Sequence, residues 1–262
     1  MWKAFHRETV EAYGEDWSRF NSFVQEVGAP PLKHRGKFSN HSPFLNIYLC
    51  PKELDYEDIA PKDEKWFAID SLLRTDQLNQ KQEFQIPDPL RERSGKLIYL
   101  SMGTMCCSEL NLIKRLVEIL SKSKHRFIVS KGPMGDDVKL ADNMWGQNSL
   151  PQIQILPVVD LVITHGGNNT VTESLYFGKP MVVLPVFSDQ YDTAQRLCER
   201  GLAIRLDPYF CTETELLNAI ENLLNDSELI SKYKNISQRI KNSKSRETAA
   251  EKIIQIINRE TN

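Results

Sequence analysis

The chain has 262 residues, of which 40% are hydrophobic and 26% charged, with a formal net charge of -2. That length predicts two ordinary domains or one large one, and the balance is that of a globular protein, not a collagenous or low-complexity one. A charge so near neutrality argues against a dedicated nucleic-acid binder, and the longest apolar runs, Ile153–Thr164 and Met181–Phe187, fall short of the roughly 18–20 residues that span a bilayer.

No charged-then-apolar signal segment opens the chain; Met1-Trp2-Lys3 runs straight into a helical pattern. From Arg7 to Val27, Val10, Tyr13, Trp17, Phe20 and Val24 alternate at spacings of three and four, which predicts one long amphipathic helix closed by Gly28. Such an aromatic stripe needs a cover or a partner. From Leu32 to Gly95 only short apolar pieces occur, Phe44–Leu49 and Trp66–Ile69, set between charged and proline-bearing stretches (Pro51–Lys65 and Gln77–Arg93). Pro87, Pro89 and Arg91–Gly95 read as a linker. The five cysteines, Cys50, Cys106, Cys107, Cys198 and Cys211, have neither zinc-site nor disulfide-framework spacing, so a reduced cytoplasmic protein without a metal or other cofactor is expected.

From Lys96 the texture becomes alternating strand and helix. Leu97–Leu100, Arg126–Val129, Ile153–Leu156, Asp160–Thr164 and Met181–Leu184 read as buried strands. Helices are expected at 110–120, at 169–177 closed by Gly178, and at 190–200 closed by Gly201. Thr212 and Glu215 form a capping box ahead of Leu216, and two more helices, about 228–241 and 246–257, finish the chain. Such alternation means an α/β fold, a Rossmann-like parallel sheet with helices on both faces. In these sheets ligands sit outside the carboxyl ends of the strands, so the residues just past each strand carry the functional question.

Past the first strand, Ser101-Met102-Gly103-Thr104 offers a small residue, a glycine and a hydroxyl to an approaching anion, or simply turns the chain. The dinucleotide G-x-G-x-x-G fingerprint is absent. The informative stretch is Thr164-His165-Gly166-Gly167-Asn168-Asn169-Thr170-Val171-Thr172-Glu173, which ends a strand and opens a helix. Free N–H groups and the dipole at that helix start favour phosphate, with Asn169, Thr170 and His165 as further partners. Glu173, one turn in, suits two hydroxyls such as those of a ribose. Each residue alone has an ordinary structural reading; together, at this place, they point to a phosphate site. Past the next strand, Asp189 and Gln190 offer acceptors and donors to a polyhydroxyl ligand, or Asp189 is a plain N-cap. Ser130-Lys131-Gly132-Pro133 borders the same site or is only a turn.

At this point Leu150–Gln195 (LPQIQILPVVDLVITHGGNNTVTESLYFGKPMVVLPVFSDQYDTAQ) resembles the donor-binding signature of the UDP-dependent glycosyltransferases of glycosyltransferase family 1, which have the GT-B fold. The resemblance runs from Lys96 to about Ile257. It implies a UDP-sugar donor domain at 96–262, the C-terminal half of a GT-B fold. Residues 1–95 would be the remnant of an α/β acceptor domain and the interdomain linker. It further implies that His165 contacts the diphosphate, with Gly167 in the same motif, and that Asn169 and Thr170 bind phosphate. Glu173 would hold the ribose, and Asp189 and Gln190 the transferred sugar. Gln152 matches the glutamine beside the uracil, and Ser101 and Gly103 the loop that approaches the diphosphate.

The sequence departs from that pattern in four ways. Ser149 stands where a tryptophan commonly stacks on uracil, leaving nearby Trp145 either to substitute or to pack on the sheet; Asn168 stands where another tryptophan is common. His6, His34 and His41 lack the Gly-His context of the family's catalytic base, so no catalytic residue is assigned. The chain also ends at Asn262 without the apolar helix and lysine-rich tail of membrane-bound relatives, like soluble members. The expectation is a fragment-like UDP-glycosyltransferase with an intact donor site. It would take a UDP-sugar such as UDP-glucose and pass its hexosyl group, with inversion, to a small lipophilic acceptor. The alternative is a non-catalytic nucleotide-sugar-binding or regulatory subunit whose aromatic stripe (Tyr13, Trp17, Phe20) docks an acceptor-domain partner or a second copy.

Overall fold

The computed structural model describes residues 2–38, 40–59, 62–73, 84–106 and 109–260. Residues 77–83 of the charged stretch and Cys107 lie outside them. Two compact units divide the chain, residues 1–46 with 63–66, and residues 47–62 with 67–262.

In the smaller unit the expected long helix is two helices, α1 (Trp2–Ala12) and α2 (Gly14–Glu26). Tyr13 between them has φ -93° and ψ 8°, and the glycine that follows is buried, where a Cβ would come within 3.0 Å of the Arg35 guanidinium. A glycine inside a helical run weakens it, and here the break falls beside one. Gly28 ends α2 as expected, with φ +81° and its N–H on Gln25 O at 3.0 Å. The aromatic stripe is partly faced by the chain that returns. Trp17 Nε1 donates to Lys37 O at 2.9 Å, and the Phe38 ring lies 6.5 Å from Tyr13 and 5.8 Å from Phe20.

The pieces read as Phe44–Leu49 and Trp66–Ile69 become β1 (Asn46–Leu49) and β2 (Trp66–Ile69), paired as a two-stranded sheet. Within the larger unit, the proline-rich stretch before Gly95 forms a single turn, α3 (Asp88–Arg91). Its Leu90 is fully buried, and the Leu90 carbonyl accepts from Arg126 at 2.6 Å.

Six parallel strands follow: β3 (Leu97–Ser101), β4 (Arg126–Ser130), β5 (Met144–Gln147), β6 (Leu161–Thr164), β7 (Met181–Val183) and β8 (Ala203–Arg205), in the order β5-β4-β3-β6-β7-β8. The order reverses between β3 and β6, which is where doubly wound sheets open a crevice. Helices α4 (Gly103–Cys106), α5 (Leu110–Ser121), α6 (Gln152–Ile155), α7 (Asn168–Tyr176), α8 (Gln190–Glu199), α9 (Glu213–Asn225), α10 (Ser227–Lys241) and α11 (Ser245–Glu260) complete the unit. α9 packs on α5 and reaches β6, β7 and β8, while α10 packs on α7.

The edge strands β5 and β8 are partly exposed, whereas apolar runs bury β3, β6 and β7 throughout and the centre of β4, as a sheet covered on both faces requires. Their carboxyl ends are polar and in register, with Ser101 paired to Ser130 on one side and Thr164 on the other. At the opposite end, Asp160 accepts from the Leu97 N–H at 2.9 Å. The capping box also forms, Glu215 N–H to Thr212 Oγ1 at 3.2 Å and Thr212 N–H to Glu215 Oε2 at 2.7 Å.

One expected strand is a correction. Ile153–Leu156 belongs to α6 and to the 3₁₀ turn Leu156–Val158 that continues it. Pro151 stands just before α6 and Pro157 inside that turn, and a short buried apolar run carries no period to separate helix from strand. Strands β5 and β8 were not anticipated; Gly146 within β5, and the brevity of Ala203–Arg205, leave little apolar signal.

Candidate donor site

At the switch point, the turns after β3, β4, β5 and β6 border one cavity of about 470 Å³. Ser101, Gly103 and Thr104 contribute from the first turn, and Ser130, Gly132 and Pro133 from the second. Asn148, Ser149, Leu150 and Gln152 come from the third, and Thr170 from the start of α7.

Gln152 holds this floor together. Its Nε2 donates to Glu173 Oε2 at 2.5 Å and lies 3.4 Å from Thr170 Oγ1, while Ser101 Oγ donates to its Oε1 at 3.3 Å. Four residues spread over some seventy positions thus meet through one primary amide, which has donors and an acceptor to spend on both sides. Gly167, the N-cap of α7, has no side chain to offer the first-turn N–H groups. Asn169 is exposed at that start, and Thr170 is buried. Asn168 takes a different part, donating Nδ2 to Leu49 O at 3.0 Å.

His165 stands between two glycines. A Cβ on Gly103 would lie 2.6 Å from its Cε1 and Nε2, and a Cβ on Gly167 would overlap Nε2 and lie 2.9 Å from Cε1. The glycines of this motif therefore make room for the imidazole as well as for any ligand. Gly166, with φ +88°, would press a Cβ to 2.8 Å from Val183 Cγ1, so the turn also sits tight on β7. Thr164 Oγ1 lies 3.3 Å from His165 Nδ1 and accepts from the Gly166 N–H at 3.3 Å. Burial holds the His165 imidazole below its ordinary value of 6.5, against the opposing pull of the Ser101 main chain and the Asp189 charge. At neutral pH the ring is uncharged.

The two residues expected to meet a sugar separate. Asp189 is exposed at the tip of the loop after β7, and Gln190 is buried beneath it. Tyr99, Asn148 and Leu150 also border the cavity, with no motif in the sequence to mark them. Asn148 and Leu150 follow β5, so recognising that strand would have marked them. Trp145 packs: it lies against the core beside Phe84, ring centroids 6.1 Å apart, and does not line the cavity. Among the described residues, no group of three or more His, Cys, Asp or Glu side chains could hold a metal ion, and no helix is long and apolar enough to cross a membrane.

Residues 87–242 match the family described as "UDP-glucoronosyl and UDP-glucosyl transferase". The chain is 30% identical over 212 residues to "NDP-glycosyltransferase YjiC" of Bacillus subtilis, covering 80% of this chain and 52% of that protein. It is 26% identical over 240 residues to a "Sterol 3-beta-glucosyltransferase" of Debaryomyces hansenii, covering 86% of this chain and 15% of that one. The chain thus spans about half the length of the first relative and much less of the second. Among solved structures, the "Glycotransferase of kitacinnamycin" superposes with a TM-score of 0.74 at 22% identity, over 91% of this chain and 62% of that one, a likeness of GT-B fold. With the family match covering more than half of its length, the chain belongs to the UDP-glucoronosyl and UDP-glucosyl transferase family.

Proposed function

We propose that residues 96–262 bind a UDP-sugar such as UDP-glucose and serve as the donor half of a glycosyltransferase. The observation that carries this is the Gln152 hub, which gathers Ser101, Thr170 and Glu173 around one cavity at the uncapped start of α7. The diphosphate would lie against that helix start, where N–H groups and the dipole favour an anion. Asn169, Thr170, Ser101 and the close backbone of Gly103 and Gly167 would surround it. His165 would contact the leaving diphosphate. Glu173, oriented by Gln152, would accept from the ribose hydroxyls. The base would lie toward Ser149 and Leu150, and Asp189 would meet the hydroxyls of the sugar.

Transfer then follows from charge development. An acceptor oxygen attacks the anomeric carbon as its bond to the diphosphate breaks, with inversion, and the electron pair leaves on UDP. Stabilising that oxyanion with preorganised donors lowers the barrier, and His165, Thr170 and the start of α7 are placed for it. Taking the proton from a small lipophilic acceptor requires a base; none of the residues around the cavity is assigned that role. We read residues 1–95 as the end of an acceptor half and its linker, which places the base on the acceptor side.

Calorimetric titration of the whole chain with UDP and with UDP-glucose tests the reading. Saturable heat, and a rise in melting temperature with ligand, are expected, with little transfer by this chain alone. No heat and no thermal shift at millimolar UDP would sink the donor-site assignment.

A further inference from the structure

The turn after β4 is a run of consecutive tight bonds. The Gly135 N–H reaches Gly132 O at 3.0 Å, the Val138 N–H reaches Gly135 O at 3.0 Å, and Lys131 Nζ donates to Gly135 O at 2.8 Å. It ends in the 3₁₀ turn Gly135–Asp137, with Val138 buried behind it. Residues 131–138 therefore form one stiff unit. Pairing between β4 and β5 carries one step past the strands, Lys131 N–H to Gln147 O at 2.9 Å. Beyond that bond the sheet ends, and Gly132 and Pro133 line the cavity from one turn, Ser149 and Leu150 from the next. A side chain joins the two turns again, Asn148 Nδ2 donating to Asp136 Oδ1 at 2.9 Å. Asn148 Oδ1 is buried and has no hydrogen-bond partner among the described residues, so the amide holds through its nitrogen. Gly135 is where the turns touch: a Cβ there would lie 2.2 Å from Asn148 Oδ1 and 2.5 Å from Lys131 Cβ.

We propose that the Asn148–Asp136 clasp sets the spacing of these two turns and so selects a pyrimidine over a purine nucleoside diphosphate. The proposal rests on the donor-site reading above, which lays the base toward Ser149 and Leu150. Asn148 is then a positioning residue, acting through the spacing of the turns and not by reading the base. A spacing fixed before the ligand arrives costs the smaller base nothing and the larger one a displacement, and specificity is that difference. The clasp suits the task because its acceptor is a carboxylate, which makes a single hydrogen bond shorter and stronger than a neutral one. Ser149, small and without a ring, fills little of the space between the turns, so their spacing and not a bulky side chain limits the base.

The test titrates the whole chain with UDP and with GDP, the ratio of the two affinities being the selectivity. Wild-type chain should prefer UDP. Asn148→Asp sets two carboxylates face to face and should lower the ratio about fivefold, the scale of one such hydrogen bond. The charge it adds acts on both diphosphates alike and cancels in the ratio. Asp136→Asn keeps an acceptor and should leave the ratio as it is. Combined with Asn148→Asp it exchanges donor and acceptor, and should restore the ratio. Gly135→Ala drives a methyl between the turns and should lower the ratio with both clasp residues intact, an independent arm where an Asn148 variant folds poorly. A residue that only supported the fold would lower the melting temperature and leave the ratio alone. An unchanged ratio in Asn148→Asp or Gly135→Ala, or no recovery in the exchanged pair, overturns the proposal while UDP binding stands. Wild-type chain that binds GDP as tightly as UDP, or more tightly, also overturns the proposal alone. Wild-type chain that binds neither ligand overturns the donor-site reading itself.

Discussion

Gln152 donates its amide to Glu173 across 2.5 Å, joining the turn after β5 to the second turn of α7. The bond fixes a carboxylate that would otherwise sample several rotamers beside the cavity. Gln152→Ala should therefore weaken UDP binding about tenfold, and Gln152→Glu, which sets two carboxylates face to face, should weaken it further. Titration calorimetry on both variants decides. If Gln152→Glu binds UDP as wild type does, Glu173 is not held for a ligand.

Gly167 has φ -62° and ψ 138°, a conformation open to any residue, so its need for glycine lies in its neighbour. Gly167→Ala should lower the melting temperature because the new methyl meets the His165 ring, an overpacking cost of about 1–3 kcal/mol. Removing that ring should relieve it, so His165→Ala in the Gly167→Ala background should recover stability without recovering UDP binding. Strictly additive losses in a double-mutant cycle would count against the contact.

The lowered His165 imidazole sets a pH dependence. Its folded-state value lies below the unfolded 6.5, because burial favours the neutral ring. Its contribution to stability is complete above 6.5 and is lost as pH falls through the folded value, since the unfolded chain takes up the proton first. Between about pH 7 and pH 5 the melting temperature of the wild-type chain should fall more steeply than that of His165→Asn. Parallel profiles would refute it.

Arg196, on α8, is 4% exposed in its side chain and reaches into the segment 47–62. It donates to the carbonyls of Leu54 and Asp55, pairs with Asp58 at 2.5 Å and stacks its guanidinium 4.3 Å from the Tyr56 ring. Arg196→Met strands two buried carbonyls, and a loss of ~5 °C or more in melting temperature is expected. UDP affinity should hold within about twofold, because Arg196 is not among the residues that line the cavity. Thermal scanning with and without UDP measures both.

The motif that opens α7 was legible because its chemistry and its address agree. A strand must end before His165 and a helix must begin near Asn169, and both follow from apolar periodicity. The capping box at Thr212 was legible for the same reason, being a local exchange of hydrogen bonds. What the sequence could not disclose is set by contacts between distant residues. Trp145 packs because Phe84 is there to meet it, and Gln190 turns inward because Val186, Phe187 and Cys106 surround it. Gly167 looks like a site for ligand approach until the His165 ring is seen beside it. The misread Ile153–Leu156 run shows the limit of pattern alone, since a buried helical turn and a buried strand present the same four apolar residues.

The chain passes between its two compact units at 46/47, 62/63 and 66/67, so no single cleavage separates them. A polypeptide begun at Lys96 would keep every residue around the cavity and still arrive incomplete. Arg196 would lose Leu54, Asp55 and Asp58, and Arg239 would lose Glu53 at 2.5 Å and Asp70 at 2.7 Å. Two cations would then line a seam left open by the missing strip. For anyone dissecting the molecule, residues 47–62 and 67–95 belong with the sheet as much as β3 does.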